Sequence, residues 1–274
     1  MNMEKESVFK TLAVAVGVCA VCAVLVSITT IALKPQQEEN KALDKKKNIL
    51  LAAGLMSAKG YSLDSEGNET KERVNVNETF ARLVPQVIDL TTGEVVEMEP
   101  EAIAKLDERE LVKKPETRID IVANTDIAGI KVKPLQTVIY LLKDENGETE
   151  RYIFPFYGRG LWSTMYGFIA LDAELNTVGN ICFYDHGETP GLGGEIVNPN
   201  WQAKWSDKTA FDSQGKVAVH VVKGPVKLDS RNKQFEVDGI AGSTLTCNGV
   251  NHAVHYWLGE NGFGPYIKKI KENQ

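Results

Sequence analysis

Residues 11–33, TLAVAVGVCAVCAVLVSITTIAL, form an uncharged run between Lys10 and Lys34. A helix of that length rises about 34 Å, enough to cross a hydrocarbon core of roughly 30 Å with some tilt. A cleaved secretory signal has an apolar region of only about 7–15 residues. A lipoprotein signal needs a small residue before its cysteine, yet Val18 precedes Cys19 and Val21 precedes Cys22. The run therefore reads as a single uncleaved transmembrane helix over 11–33, behind a short cytoplasmic N-terminus at 1–10. Ala13, Gly17, Ala20, Ala23 and Ser27 leave parts of its surface small, as in helices that pack against others in the bilayer and also in solitary anchors. Lys5 and Lys10 flank one end; Lys34, Lys41, Lys45, Lys46 and Lys47 follow the other. That count favours a cytoplasmic C-terminal part, but the rule weakens when a long domain follows the helix.

Composition narrows the class of the remainder. With 31 basic and 37 acidic side chains and a net charge of −6, the chain is not a generally basic nucleic-acid binder. A hydrophobic content of 43% excludes a wholly disordered chain, and four cysteines are too few for a disulfide scaffold. Cys19 and Cys22 read as packing residues of an apolar helix. Pairing of Cys182 with Cys247 depends on a distance the sequence does not contain.

Residues 34–60 read as a juxtamembrane linker and helix, with Leu43, Leu50, Leu51, Leu55 and Met56 marking an amphipathic helix over 42–59. Residues 60–74 are rich in turn formers, and 75–84 predict a short helix around Phe80 and Leu83. TVIYLL (137–142) and ERYIFPF (150–156) flank Asn146-Gly147, a hairpin signal, and 165–172 and 178–186 flank a second polar turn. KVAVHVVKG (216–224) and QFEVDGI (234–240) predict two more strands. After Thr244, Val250, Val254, Trp257 and Leu258 fall at helical spacing. Helices, then antiparallel strands, then a closing helix give an α+β domain over 61–274, with 60–135 expected to be loosely attached.

The segment EVDGIAGSTLTCNGV (236–250) crowds Asp238, Gly239, Gly242, Ser243, Thr244 and Thr246 between a strand end and a helix start. Free N–H groups at a helix start favour anions, and glycine lets a ligand approach the backbone. Ser and Thr are equally favoured there as plain N-caps. The segment is neither a Walker A loop nor a G-x-G-x-x-G fingerprint. Trp162, in the turn GRGLWS, offers a rigid aromatic face, or else a core side chain. Thr189 to Gly194 (TPGLGG) is a stiff turn followed by flexible positions. His252 and His255 stand one turn apart and His186 lies near Glu188, but nothing in their spacing fixes a metal geometry, and no metal site is assigned.

D-G-I-A-G-S-T at 238–244 resembles the flavinylation motif D-x-x-(S/T)-G-A-(T/S) of membrane-associated FMN-binding domains. Asp238, Gly242 and Thr244 match in register; Ala241 and Ser243 depart from the usual residues. GRGLWSTMYGFIALD (158–172) and YDHGETPGLGGEI (184–196) are similar to two further blocks of the C subunits of sodium-translocating NADH:quinone oxidoreductases. The resemblance covers the anchor, 42–59 and nearly all of 137–260. It implies one transmembrane helix followed by a globular FMN-binding domain of antiparallel strands with flanking helices. It implies FMN held covalently through a phosphoester to Thr244, with Thr246 as the fallback acceptor, attached by a separate flavin transferase. Asp238, Gly242, Ser243, Leu245, Trp162, Glu188, Thr189, Leu192 and Gly193 become the expected cofactor contacts, Glu188 alternatively a solvated rim charge. No catalytic acid–base pair is implied. The expected role is single-electron relay to the next flavin, borne by a neighbouring FMN- or riboflavin-carrying subunit, in the bacterial inner membrane with the FMN domain on the periplasmic face. The related G subunit of Rnf-type complexes, and a membrane-anchored flavin sensor with no part in quinone reduction, are the alternatives. A hydrolase using Ser243 or Thr244 as nucleophile would need a base such as His186 or His220.

Overall fold

The computed structural model describes residues 8–64 and 67–273, so the N-terminal tail lies outside the described residues as far as residue 7. The chain divides into two units, Met1–Lys45 and Lys46–Gln274. Helix α1 (Val8–Ala52) begins in the first unit, where it takes in the uncharged run and continues through the residues expected as a linker, and its last residues belong to the second. It is the helix among the described residues that is long and apolar enough to cross a membrane. Its two adjacent threonines hide their hydroxyls by bonding back one turn: Thr29 Oγ1 donates to Leu25 O at 2.7 Å and Thr30 Oγ1 to Val26 O at 2.8 Å. The helix passes through Pro35, which lacks an N–H for the ladder, because the residues that follow (Gln36, Gln37, Glu38, Glu39, Lys41, Ala42) are good helix formers.

In the second unit the last turn of α1 buries Ile49, Leu50 and Ala52. It stops seven residues short of Lys59 because Gly54, at φ +71°, turns the chain into the left-handed region that ends helices. Among the described residues the main sheet has seven strands. They are β1 (Leu83–Asp89), β2 (Val95–Val96), β3 (Gln136–Lys143), β4 (Thr149–Arg159), β5 (Thr164–Asp172), β6 (Thr177–Asp185) and β7 (Lys208–Thr209). Their order is β7-β6-β5-β4-β3-β1-β2, with every neighbouring pair antiparallel. Both expected hairpins are present as β3–β4 and β5–β6. At the first, Asp144 Oδ1 accepts from Asn146 N and Glu148 N and pins the turn.

Two-residue periodicity sorts the strands between two cores. Ile139, Leu141, Phe154, Phe156, Ile169 and Ile181 face one side, against helix α2 (Thr244–Leu258) and helix α3 (Gly264–Asn273). Val138, Tyr140, Ile153, Phe168 and Cys182 face the other, against Ile49, Leu50 and Met56. Cys182 and Cys247 therefore belong to different cores, and both are free thiols. The Cys182 thiol donates to Asn48 O at 3.1 Å and is pushed up to about 12 by burial.

Three expectations change. The 60–135 region belongs to the same compact unit as the sheet and is tied into it at 83–89, where β1 pairs with β3 from Leu83↔Leu142 to Asp89↔Gln136. The helix expected over 75–84 covers only Val76–Phe80, and Leu83 already belongs to the sheet. The strands expected over 216–224 and 234–240 shrink to β8 (His220–Val221) and β9 (Glu236–Val237), which pair in parallel apart from the main sheet.

Candidate functional site

The site grows from three chain segments that the sheet and α2 bring together. The first is the β4–β5 loop. It is tight, with Gly160 N donating to Ser163 O at 2.8 Å, so Leu161 and Trp162 stand at its tip. They are 43% and 67% exposed, which overturns the core reading of Trp162. The second is the loop after β6. Thr189 O accepts from Leu192 N at 3.1 Å and Gly194 N at 2.9 Å, and this fold leaves Leu192 45% exposed. The third is the start of α2, anchored from behind by its buried body.

Together they enclose a cleft of about 320 Å³ lined by Leu161, Trp162, Glu188, Thr189, Leu192, Gly193, Gly242, Ser243, Thr244, Leu245 and Thr246. That volume lies at the lower end of the range of small-molecule sites, roughly 300–1,000 Å³. Every expected contact residue is there except Asp238. Its place is taken by ties between loops: Asp238 Oδ2 accepts from Lys204 Nζ at 2.6 Å, Oδ1 from Val226 N at 2.7 Å, and its carbonyl from Trp201 Nε1 at 2.8 Å. The Lys204 and Val226 bonds hold its carboxyl below the usual range. Leu161 was missed from sequence, although it precedes Trp162 in the same turn. Thr244 also borders a second recess of about 40 Å³, whose lining includes Gly239 of the same segment together with Lys223, Gly224 and Asn248, which the sequence left unmarked.

The hydroxyls at the start of α2 have separate fates. Thr246 is 1% exposed and donates to Glu188 Oε2 at 2.6 Å, so the fallback acceptor is occluded. Ser243 is 4% exposed and its hydroxyl approaches Ala241 O at 3.4 Å. It occupies the N-cap position but makes no capping bond, so the plain-cap reading does not describe it. Thr244 is exposed.

Glu188 is no rim charge. It is 4% exposed, and its carboxylate accepts from Leu161 N (3.2 Å), Trp162 N (2.9 Å), Ser163 N (3.4 Å) and the Thr246 hydroxyl. Burial works to raise its pKa, but the hydrogen bonds from Thr246 and the three amides outweigh it and hold the carboxyl below the usual range. Gly193 makes room for this contact, since a Cβ there would collide with Thr246 Oγ1.

The histidines do not converge. His186 Nδ1 accepts from Glu188 N at 3.1 Å, while His220 Nδ1 and His255 Nε2 lie within hydrogen-bond reach of Ala218 O and Val219 O. Among the described residues no three His, Cys, Asp or Glu side chains group as a metal site.

The cleft fits a flavin. Trp162, Leu161, Leu192 and Leu245 supply exposed apolar surface for a planar ring, and an exposed hydroxyl stands on the helix that closes one side. An FMN-binding domain family matches residues 160–259, the stretch that holds all three cleft segments. Over 98% of the chain the sequence is 42% identical to the C subunit of the Na(+)-translocating NADH-quinone reductase of Haemophilus ducreyi, covering 97% of that protein. It is 41% identical to the protein of the same name from Yersinia pestis over 97% of this chain and 94% of the other. The crystal structure of Shewanella oneidensis NqrC superposes with a TM-score of 0.72 at 32% identity, covering 85% of this chain and 99% of that one. The crystal structure of the corresponding reductase chain from Parabacteroides distasonis gives 0.60 at 27% identity, covering 86% and 96%. Site geometry, fold and near full-length similarity agree: the chain belongs to the NqrC family, the C subunits of the Na(+)-translocating NADH-quinone reductases.

Proposed function

We propose that this chain is the electron-carrying subunit that holds FMN through a phosphoester to Thr244 Oγ, attached by a separate flavin transferase, and passes single electrons to a flavin of a neighbouring membrane subunit. When bound, the flavin supplies one-electron redox chemistry. What the chain supplies is position. Trp162 would offer its face to the ring, Leu192 and Leu245 would exclude water around it, and Thr189 and Gly193 complete the cleft lining. The first turn of α2, which has no side-chain cap, would offer its N–H groups and positive dipole end to the phosphate. A bond through the phosphate leaves the ring electronics untouched, so the tether retains the cofactor rather than tuning it. Retention has a physical use where the domain sits on the periplasmic face of the inner membrane, beyond any cytoplasmic FMN pool.

One observation carries the assignment of the acceptor. Of the hydroxyls in 243–246, Thr244 is exposed at the cleft, whereas Ser243 and Thr246 are buried. The test is the Thr244→Ala chain, produced in cells that flavinylate the native one. Native protein is expected to show ultraviolet-excited fluorescence on a denaturing gel and a mass increment of one FMN, released by base. The variant is expected to show neither. Acid-stable flavin on Thr244→Ala protein sinks the assignment.

A further inference from the structure

We infer that Glu188 is a positioning residue: it locks the 161–163 loop to the first turn of α2, and by engaging the Thr246 hydroxyl it leaves Thr244 as the hydroxyl shown to the cleft. The part concerning flavin rests on the reading proposed above; the lock itself does not. A carboxylate 4% exposed is costly unless its lone pairs are filled. Here the donors are three consecutive backbone amides of one loop and one hydroxyl of a helix 58 residues further along the chain. The two walls of the cleft are thus joined through a single side chain. The same loop is tied a second time, by Gly187 N donating to Ser163 Oγ. Trp162 is 67% exposed, so its ring is not held by packing. Its backbone is held instead, and the held backbone sets where the ring stands. Glu188 borders the cleft, but its carboxylate is engaged by protein donors of both walls, which is why it is argued as a positioning residue.

Glu188→Gln keeps the size but turns an amide donor toward donors. With one buried acceptor oxygen replaced by a donor, local opening should rise about tenfold, equivalent to about 1.4 kcal/mol. The measurement is hydrogen exchange on the full chain in detergent, in the flavin-free Thr244→Ala background and in the native one. Exchange at 161–163 is expected to rise about tenfold in Glu188→Gln while peptides from β4 and β5 stay unchanged. Thr246→Val should raise it less, Thr246→Ser should match native, and the Glu188→Gln/Thr246→Val pair should fall short of additivity. In the flavin-bearing chain, emission of the attached flavin is expected to increase as Trp162 loses its fixed place, and peptide mapping should show flavin on Thr246 as well as Thr244. Unchanged exchange at 161–163 overturns the lock. Flavin wholly on Thr244 with unchanged emission overturns its role in presentation. Should Glu188→Gln not fold, Thr246→Val against Thr246→Ser reads the same contact. A native chain without flavin would defeat the proposed function, yet the exchange result in the Thr244→Ala chain would still stand.

Discussion

Helix α2 is two structures in one. From Val250 to Leu258 it is core: Val250, Val254, Trp257 and Leu258 are at most 1% exposed, and Trp257 Nε1 donates to Tyr157 O at 2.6 Å. Its first turn has an uncapped start, exposed Thr244 and Leu245, and a cleft in front of it. The body supplies the stability and the first turn presents the chemistry. The rigid part lets a few exposed side chains hold position without a core of their own. Substitutions in the two halves should therefore separate folding from cofactor retention.

The largest effect is expected in the body. Trp257→Ala removes a ring in contact with Tyr157 and Phe263, at centroid distances of 4.8 and 5.6 Å, and orphans a buried carbonyl. Such truncations cost roughly 3–5 kcal/mol. Denaturant unfolding of the full chain should show that loss, with flavin content per folded molecule unchanged. Thr244→Ala should do the reverse, abolishing attached flavin and leaving the unfolding midpoint where it was. If Thr244→Ala lowered the midpoint by an amount comparable to Trp257→Ala, the division of the helix would be wrong.

Glu188 ties the first turn of α2 to the 161–163 loop and gives that half of the comparison a pH dependence. Its carboxyl is held below the usual range by the Thr246 hydroxyl and the loop amides against the cost of burial. A depressed carboxyl contributes stability that is fully present above its unfolded pKa of roughly 4.3 and is lost as pH falls through the folded value. The stability gap between native chain and Glu188→Gln should accordingly be constant near neutrality and close in acid below that range. A gap that persists unchanged to the lowest pH at which both fold would show that the charge of Glu188 contributes nothing.

How much was legible in the sequence depended on how local the signal was. The β3–β4 hairpin was readable because Asn146-Gly147 and two-residue alternation lie within 20 residues. β1 was not, because Pro85 argues against a strand. β2 pairs only with Val87 and Ile88, so among the described residues Pro85 has no sheet neighbour on that side and its missing N–H costs no ladder bond there. Residues 216–224 alternate well, but Ala218 N and Val219 N both donate to Ala210 O, which leaves only two residues for pairing. At the site, the cluster around Thr244 and the Trp162 turn were visible as local motifs. Which threonine is buried was not, because Glu188 decides it from 58 residues away. Asp238 matched the motif in register, yet its carboxylate ties loops outside the cleft.

The smallest effect is expected at Ser243, and it bears directly on the first turn. A serine that caps a helix is worth about 1 kcal/mol over alanine, because its oxygen satisfies an orphan amide. Ser243 holds the N-cap position at φ −124° and ψ 35° and makes no such bond; its hydroxyl approaches Ala241 O at 3.4 Å, too long to contribute much. Ser243→Ala should therefore change stability by less than about 0.5 kcal/mol. It should also leave attached flavin at the native level, since the buried hydroxyl is not the one presented. Alanine is moreover the residue usual at this position of the motif, so loading by the transferase should hold or rise. A loss near 1 kcal/mol would mean that Ser243 caps the helix in solution, leaving fewer amides of the first turn for the phosphate. A loss of flavin without a loss of stability would instead give Ser243 a part in attachment.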